Sequence, residues 1–103
     1  MKDAARKRLA KKFKALSNPN RLQLFLEILA AHEKNYDRGH DCFLQTIMQK
    51  LKVAAPTVSH HLKELVNADL ITTEKHGKLL TCTLNADALE ELEALFARGT
   101  VER

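Results

Sequence analysis

A chain of 103 residues with formal charge +4, no tryptophan and few aromatics has room for one small domain around one aliphatic core. No apolar run reaches the ~20 residues of a membrane span, and the basic N-terminal stretch lacks the unbroken apolar segment of a secretory signal. A cytoplasmic protein without a membrane partner is expected, and its modest basic excess favours an anionic partner such as nucleic acid.

In chain order, Ala5, Leu9, Phe13 and Leu16 recur at spacings of four and three among lysines and arginines, which predicts a first helix over about 2–16. "SNPNR" interrupts it, with Asn18 as N-cap and Pro19 at the first helical position. A second helix over 19–32 carries Leu22, Leu24, Phe25, Leu26, Ile28 and Leu29. "EKNYDRGHD" reads as a loop. Leu44, Ile47, Met48 and Leu51 then predict a short third helix over 43–51.

After "KVAA", Pro56 opens a fourth helix over 55–67. Its inward residues are Val58, Leu62, Leu65 and Val66. Thr57, Ser59, His60, Lys63, Glu64 and Asn67 face outward. Two short helices a few residues apart, the second with a polar N-terminal half, match a helix-turn-helix. "LITTEKHGKLLTCTL" reads as a two-stranded wing over 71–84 around a glycine turn, with Leu80, Cys82 and Leu84 alternating against Thr81 and Thr83. Asn85 can cap a last helix over 86–98 with the stripe Leu89, Leu92, Leu95 and Phe96. The fold class is mainly α with a small β-hairpin, a winged helix-turn-helix in one domain over 1–103.

The first turns of a recognition helix meet base edges, so Ala55, Thr57, Ser59 and His60 are candidate DNA contacts, with Lys63 placed for a phosphate. At the hairpin tip, Lys75, His76 and Lys78 form a basic finger suited to the backbone or minor groove. Each could also be an ordinary solvated residue; their coincidence with turn and wing is the argument. His60 and His61 differ by about 100° on a helix. His60 therefore shares the polar face, while His61 borders the apolar stripe. The pair is not expected to share a metal.

"FKALSNPNRLQLFLEIL" and "APTVSHHLKELVNADLITTEKHGK" resemble the ArsR/SmtB family of small dimeric bacterial repressors, over about Ala10 to Phe96. The resemblance implies a winged-helix homodimer that binds a palindromic operator in double-stranded DNA through the helix from Pro56 to Asn67 and releases it when an inducer binds. The family's Cys-x-Cys-like metal site would fall on Phe43 and Gln45. Its last-helix site would need histidines where Leu89 and Thr100 stand, although Asp87 matches the first ligand position. Neither site is present, so no cofactor and no family metal site are expected and the inducer is unassigned. Ala54 replaces the serine common before the recognition helix.

The remaining candidate switch is the thiol pair Cys42 and Cys82. The segment before the third helix can form a short strand beside the second wing strand, which would bring the two together. A metal set from His32, His40, Asp41 and Cys42 is open by ligand type only. Leu9 and Phe13 on the first helix and Leu89, Leu92, Leu95 and Phe96 on the last exceed what one small core requires, and form the expected dimer interface. The basic first helix should lie near the acidic last one. Two functions remain open: a homodimeric repressor, and a winged-helix interaction module without operator specificity. No nucleophile–base pair or phosphate loop suggests an enzyme.

Overall fold

The computed structural model describes residues 2–35, 42–43, 47–49, 51, 54–77 and 79–98; the side chains of residues 32–35, 42, 43, 76, 79 and 98 lie outside that description. Helix α1 (Asp3–Leu16) has Asp3 in its first turn and Lys14 in its last, the arrangement that complements the helix dipole. Asp3 also pairs with Arg6. Leu9, Ala15 and, less predictably, Lys12 are buried. The Ser17 hydroxyl donates to the Lys14 carbonyl at 2.7 Å.

Helix α2 (Pro19–Asn35) starts as the sequence requires, with Asn18 Oδ1 accepting the Arg21 backbone N–H at 3.0 Å. It continues past the expected end at His32, since the next glycine comes only at Gly39. Leu24, Phe25 and Ile28 are its buried residues.

Strand β1 is Cys42–Phe43. Phe43 therefore does not begin the expected helix over 43–51: its backbone stands opposite Thr81 in the sheet, and a residue in an extended ladder cannot also be helical. Of that helix, residues 44–46 and 50 lie outside the described residues. Ile47 and Met48 are helical, and the Leu51 N–H donates to the Met48 carbonyl at 3.3 Å.

Helix α3 (Ala55–Asn67) has no side-chain cap. Instead the Ala54 carbonyl accepts from Thr57 at 3.0 Å and Val58 at 3.1 Å, closing the first turn by backbone alone. Its end is more elaborate. Asp69 adopts φ 60°, its N–H donates to Val66 at 2.9 Å, and the Leu70 N–H donates to Leu65 at 3.1 Å. This is a Schellman motif with aspartate where glycine is usual, and it turns Leu70 inward onto Leu65. Both leucines are completely buried.

Strands β2 (Ile71–His76) and β3 (Leu79–Leu84) form the hairpin around Gly77, whose φ of 65° favours glycine. The sheet has three strands in the order β1-β3-β2, all antiparallel. Because β3 is central, Thr81 is buried rather than alternating outward. Its hydroxyl donates to the Glu74 carbonyl at 3.3 Å.

Helix α4 (Ala86–Arg98) is capped by Asn85, whose Oδ1 accepts from Asp87 at 3.1 Å and Ala88 at 3.4 Å. The same side chain donates to the Asp69 carbonyl at 2.8 Å, so one asparagine ties the start of α4 to the end of α3. The core joins Leu24, Ile28, Val58, Leu65, Leu70, Ile71 and Cys82. It is the floor on which α3 rests.

Candidate nucleic-acid interface

Val58, His61, Leu62 and Leu65 anchor the underside of α3, and the opposite side is left to solvent. Ala55, Thr57, Ser59, His60, Lys63 and Asn67 are exposed there. The helical phase thus makes a polar ridge of hydroxyl, imidazole, ammonium and amide groups on a helix that cannot rotate without unburying its leucines. Those groups match base edges and phosphates. Val66, predicted inward, packs against the core but is only half-buried, at the edge that lines the cavity beside the hairpin.

The two histidines diverge as their phase requires. His60 is exposed, while His61 is 6% exposed and belongs to the buried set. His61 Nδ1 accepts from Arg21 Nε at a long 3.4 Å, and Arg21 NH1 donates to the Ala15 carbonyl at 3.1 Å. One guanidinium thus joins the end of α1, the start of α2 and the underside of α3. With Nδ1 accepting, the proton sits on Nε2, which is buried without a partner among the described residues. Burial foremost, then the positive charge of Arg21, then His60, push the His61 pKa below its ordinary 6.5. His61 is a neutral docking group. Arg21 is the residue positioning α3 that sequence reasoning missed; its signal was a lone cation in the first turn of α2, ahead of the apolar run from Leu22 to Leu29.

On the hairpin, Lys75 is exposed. The side chain of His76 and the whole of Lys78 lie outside the described residues. Between α3 and the hairpin runs a cavity of about 300 Å³ lined by Ser59, Leu62, Lys63, Val66, Thr73 and Leu80.

The terminal helices meet within one chain. Arg8 donates to Glu91 at 3.2 Å, the buried Lys12 ammonium lies 3.9 Å from the same carboxylate, and the Phe13 and Phe96 rings form a T-shaped pair 6.3 Å apart at 83°. Leu9, placed in the expected dimer interface, is instead covered by its own chain at 5% exposed, whereas Phe13 at 42% and Phe96 at 68% stay open. Leu89 and Leu92 pack against the core, and Leu95 is half-buried. Leu9 points into the fold because α1 lays that face on its own chain.

Cys42 and Cys82 are Cα partners across β1 and β3, and Cys82 is buried. Among the described residues no three His, Cys, Asp or Glu side chains cluster as a metal site. Of the set drawn from His32, His40, Asp41 and Cys42, the side chains of His32 and Cys42 and the whole of His40 and Asp41 lie outside that description, as do Gln45 and Thr100. No described helix is long and apolar enough to cross a membrane.

A solvent-facing polar helix held beside a β-hairpin is the arrangement of a winged helix-turn-helix protein. Comparison with known proteins makes this specific. Residues 39–73 match the model of the bacterial regulatory protein, arsR family. Over 84 residues the chain is 33% identical to the arsenical resistance operon repressor of Staphylococcus xylosus, covering 82% of this chain and 72% of that one. It is 29% identical over 79 residues to the transcriptional repressor SdpR of Bacillus subtilis (strain 168), covering 77% and 78%. The chain belongs to the arsR family of bacterial regulatory proteins. Among solved structures, an ArsR-like transcriptional regulator from Rhodococcus sp. RHA1 has the same fold, with TM-score 0.69 at 21% identity over 93% of this chain and 83% of that one. So does HlyU from Vibrio cholerae N16961, with TM-score 0.67 at 19% identity over 95% and 96%. These relatives favour a DNA-binding regulator over a bare interaction module.

Proposed function

We propose that the protein is a cytoplasmic, sequence-specific transcriptional repressor that binds a palindromic operator as a homodimer. The observation that carries this reading is the exposed ridge of Thr57, Ser59, His60 and Lys63 on a helix immobilised from below. One short chain presents one such helix, and two must stand ~34 Å apart to read successive half-sites. The open Phe13 and Phe96 rings support pairing through the terminal helices. In a mobility-shift assay on a selected operator, His60→Ala and Ser59→Ala should narrow the gap between operator and random duplex. Lys63→Ala should weaken both equally and flatten the salt dependence. Equal losses on both duplexes for all three would overturn the base-reading assignment, and a monomer at micromolar concentration would overturn the dimer.

The register of Cys42 and Cys82 supports a thiol switch as the inducer response. Directly opposed residues of an antiparallel pair have Cα atoms roughly 4.5–5.5 Å apart, inside the roughly 4.4–6.8 Å that a disulfide needs. A hydroperoxide would take both thiol hydrogens and two electrons from the pair, leaving one S–S bond, water and an alcohol. Intact-mass analysis after peroxide should show loss of two hydrogens together with weaker operator binding. An unchanged mass would retire the switch.

A further inference from the structure

The flank of α3 that faces away from the hairpin borders a cleft of about 570 Å³ between the α1–α2 turn and the recognition helix. Its walls are Lys11 and Lys14 from α1, Asn18 and Arg21 at the start of α2, and His60, Glu64 and Asn67 from α3. Lys11 and Lys14 are three residues apart, so both project from one helical face, and both are exposed. Lys11, Lys14, Arg21 and the single carboxylate of Glu64 leave the cleft net positive. Neither lysine ammonium has an ion-pair or hydrogen-bond partner among the described residues. The N-terminus of α2 opens beside them at Asn18, and its dipole also favours an anion.

We propose that this cleft holds a backbone phosphate of the bound DNA, extending the DNA contact from α3 to Lys11 and Lys14 on α1. The reasoning is dimensional. A helix with its side chains is about 10–12 Å across, and the major groove is about 12 Å wide. Once the ridge of α3 enters the groove, a sugar-phosphate strand must run along each of its flanks. On the hairpin side Lys63 and Lys75 are available to one strand. On the other side lies the cleft, whose rim shares His60 and Asn67 with the ridge itself. The first helix thus acts as a second phosphate clamp in this chain.

The inference rests on the DNA-binding reading, and the test separates the two. Phosphate contacts are independent of sequence, so a mixed-sequence duplex is the probe, with affinity followed across a salt series. Each lost contact lowers the slope of log affinity against log salt by roughly 0.9. Both lysines serve one phosphate, so relative to Lys11→Gln/Lys14→Gln the unmodified chain should lose about three- to fourfold more affinity per subunit over a fourfold rise in salt. Lys2→Gln/Arg6→Gln removes the same formal charge at the N-terminal end of α1, outside the cleft, and should keep the unmodified slope. Equal flattening by both pairs would reduce the effect to net charge and overturn the proposal, as would an unchanged slope in the Lys11/Lys14 variant. Saturable binding of inorganic phosphate that this variant loses, with its duplex slope unchanged, would make the cleft a small-anion site and also overturn it. If the unmodified chain binds no duplex with any salt dependence, the DNA-binding reading itself fails. Far-ultraviolet circular dichroism on each variant confirms that the fold is intact.

Discussion

The two flanks of α3 are built from opposite chemistry. Toward the hairpin, Leu62, Val66 and Leu80 make an apolar floor with only Ser59, Lys63 and Thr73 at its rim. Toward the α1–α2 turn, the walls are lysine, arginine, histidine, asparagine, serine and one glutamate, with only Ala15 and Ala68 apolar. Both belong to one helix and lie within one turn of the same ridge. The difference teaches that this helix is positioned by one side and charged on the other. Stability and phosphate affinity should therefore respond to different substitutions.

The largest expected effect tests the apolar flank. Leu62→Ala should cost about 2–5 kcal/mol, read as a lower urea midpoint at an unchanged m value. Lys14→Gln on the opposite flank should leave that midpoint where it is, and a comparable loss from the lysine change would break the separation. Arg21 lies beneath the basic flank but does structural work. Arg21→Ala strands both the Ala15 carbonyl and His61 Nδ1, and should cost about 2 kcal/mol, with the same unfolding assay as the check. Full stability in that variant would mean the guanidinium belongs to the anion cleft alone.

A smaller gain is expected where α3 turns into the hairpin. Asp69 holds a positive φ that costs an L-residue about 1–2 kcal/mol, so Asp69→Gly should raise stability by up to about 1 kcal/mol after the greater entropy of unfolded glycine is subtracted. A destabilised glycine variant would show that the aspartate side chain contributes something its backbone does not.

The pH dependence sharpens the contrast between the two histidines. The unfolded chain protonates His61 near its ordinary pKa of about 6.5, whereas the folded chain resists protonation to lower pH. The unfolded state then binds more protons, so stability present above about pH 6.5 declines as pH falls toward the folded value. His61→Gln keeps an acceptor for Arg21 without a titrating ring and should flatten that acid limb. His60→Gln removes only the smallest of the three causes and should leave most of it in place. Identical limbs in both variants would show that His61 does not govern the decline.

Much of the molecule could be read from local pattern. The i, i+3, i+4 stripes located the long helices, and Asn18 and Asn85 marked helix starts because a capping bond involves only residues two or three apart. The 100° helical step alone separated His60 from His61 and chose the exposed ridge. Phe43 went wrong because a short apolar run carries no period that tells a strand from a helix start, and Thr81 because alternation cannot say how many neighbours a strand will have. Leu9 was placed in the dimer interface for a similar reason: amphipathicity shows that a face is apolar, not whose chain covers it.

The sequence by itself determined the order of elements, the exposed polar ridge and the contrast between adjacent histidines, since these follow from backbone periodicity and side chains a few residues apart. Only the tertiary structure decided that Arg21 would reach both Ala15 and His61, that β3 would set Cys82 opposite Cys42, and that Lys11 and Lys14 would line a cleft along α3. Each of these depends on which faces meet across long stretches of chain, and that choice is made by packing the whole core at once.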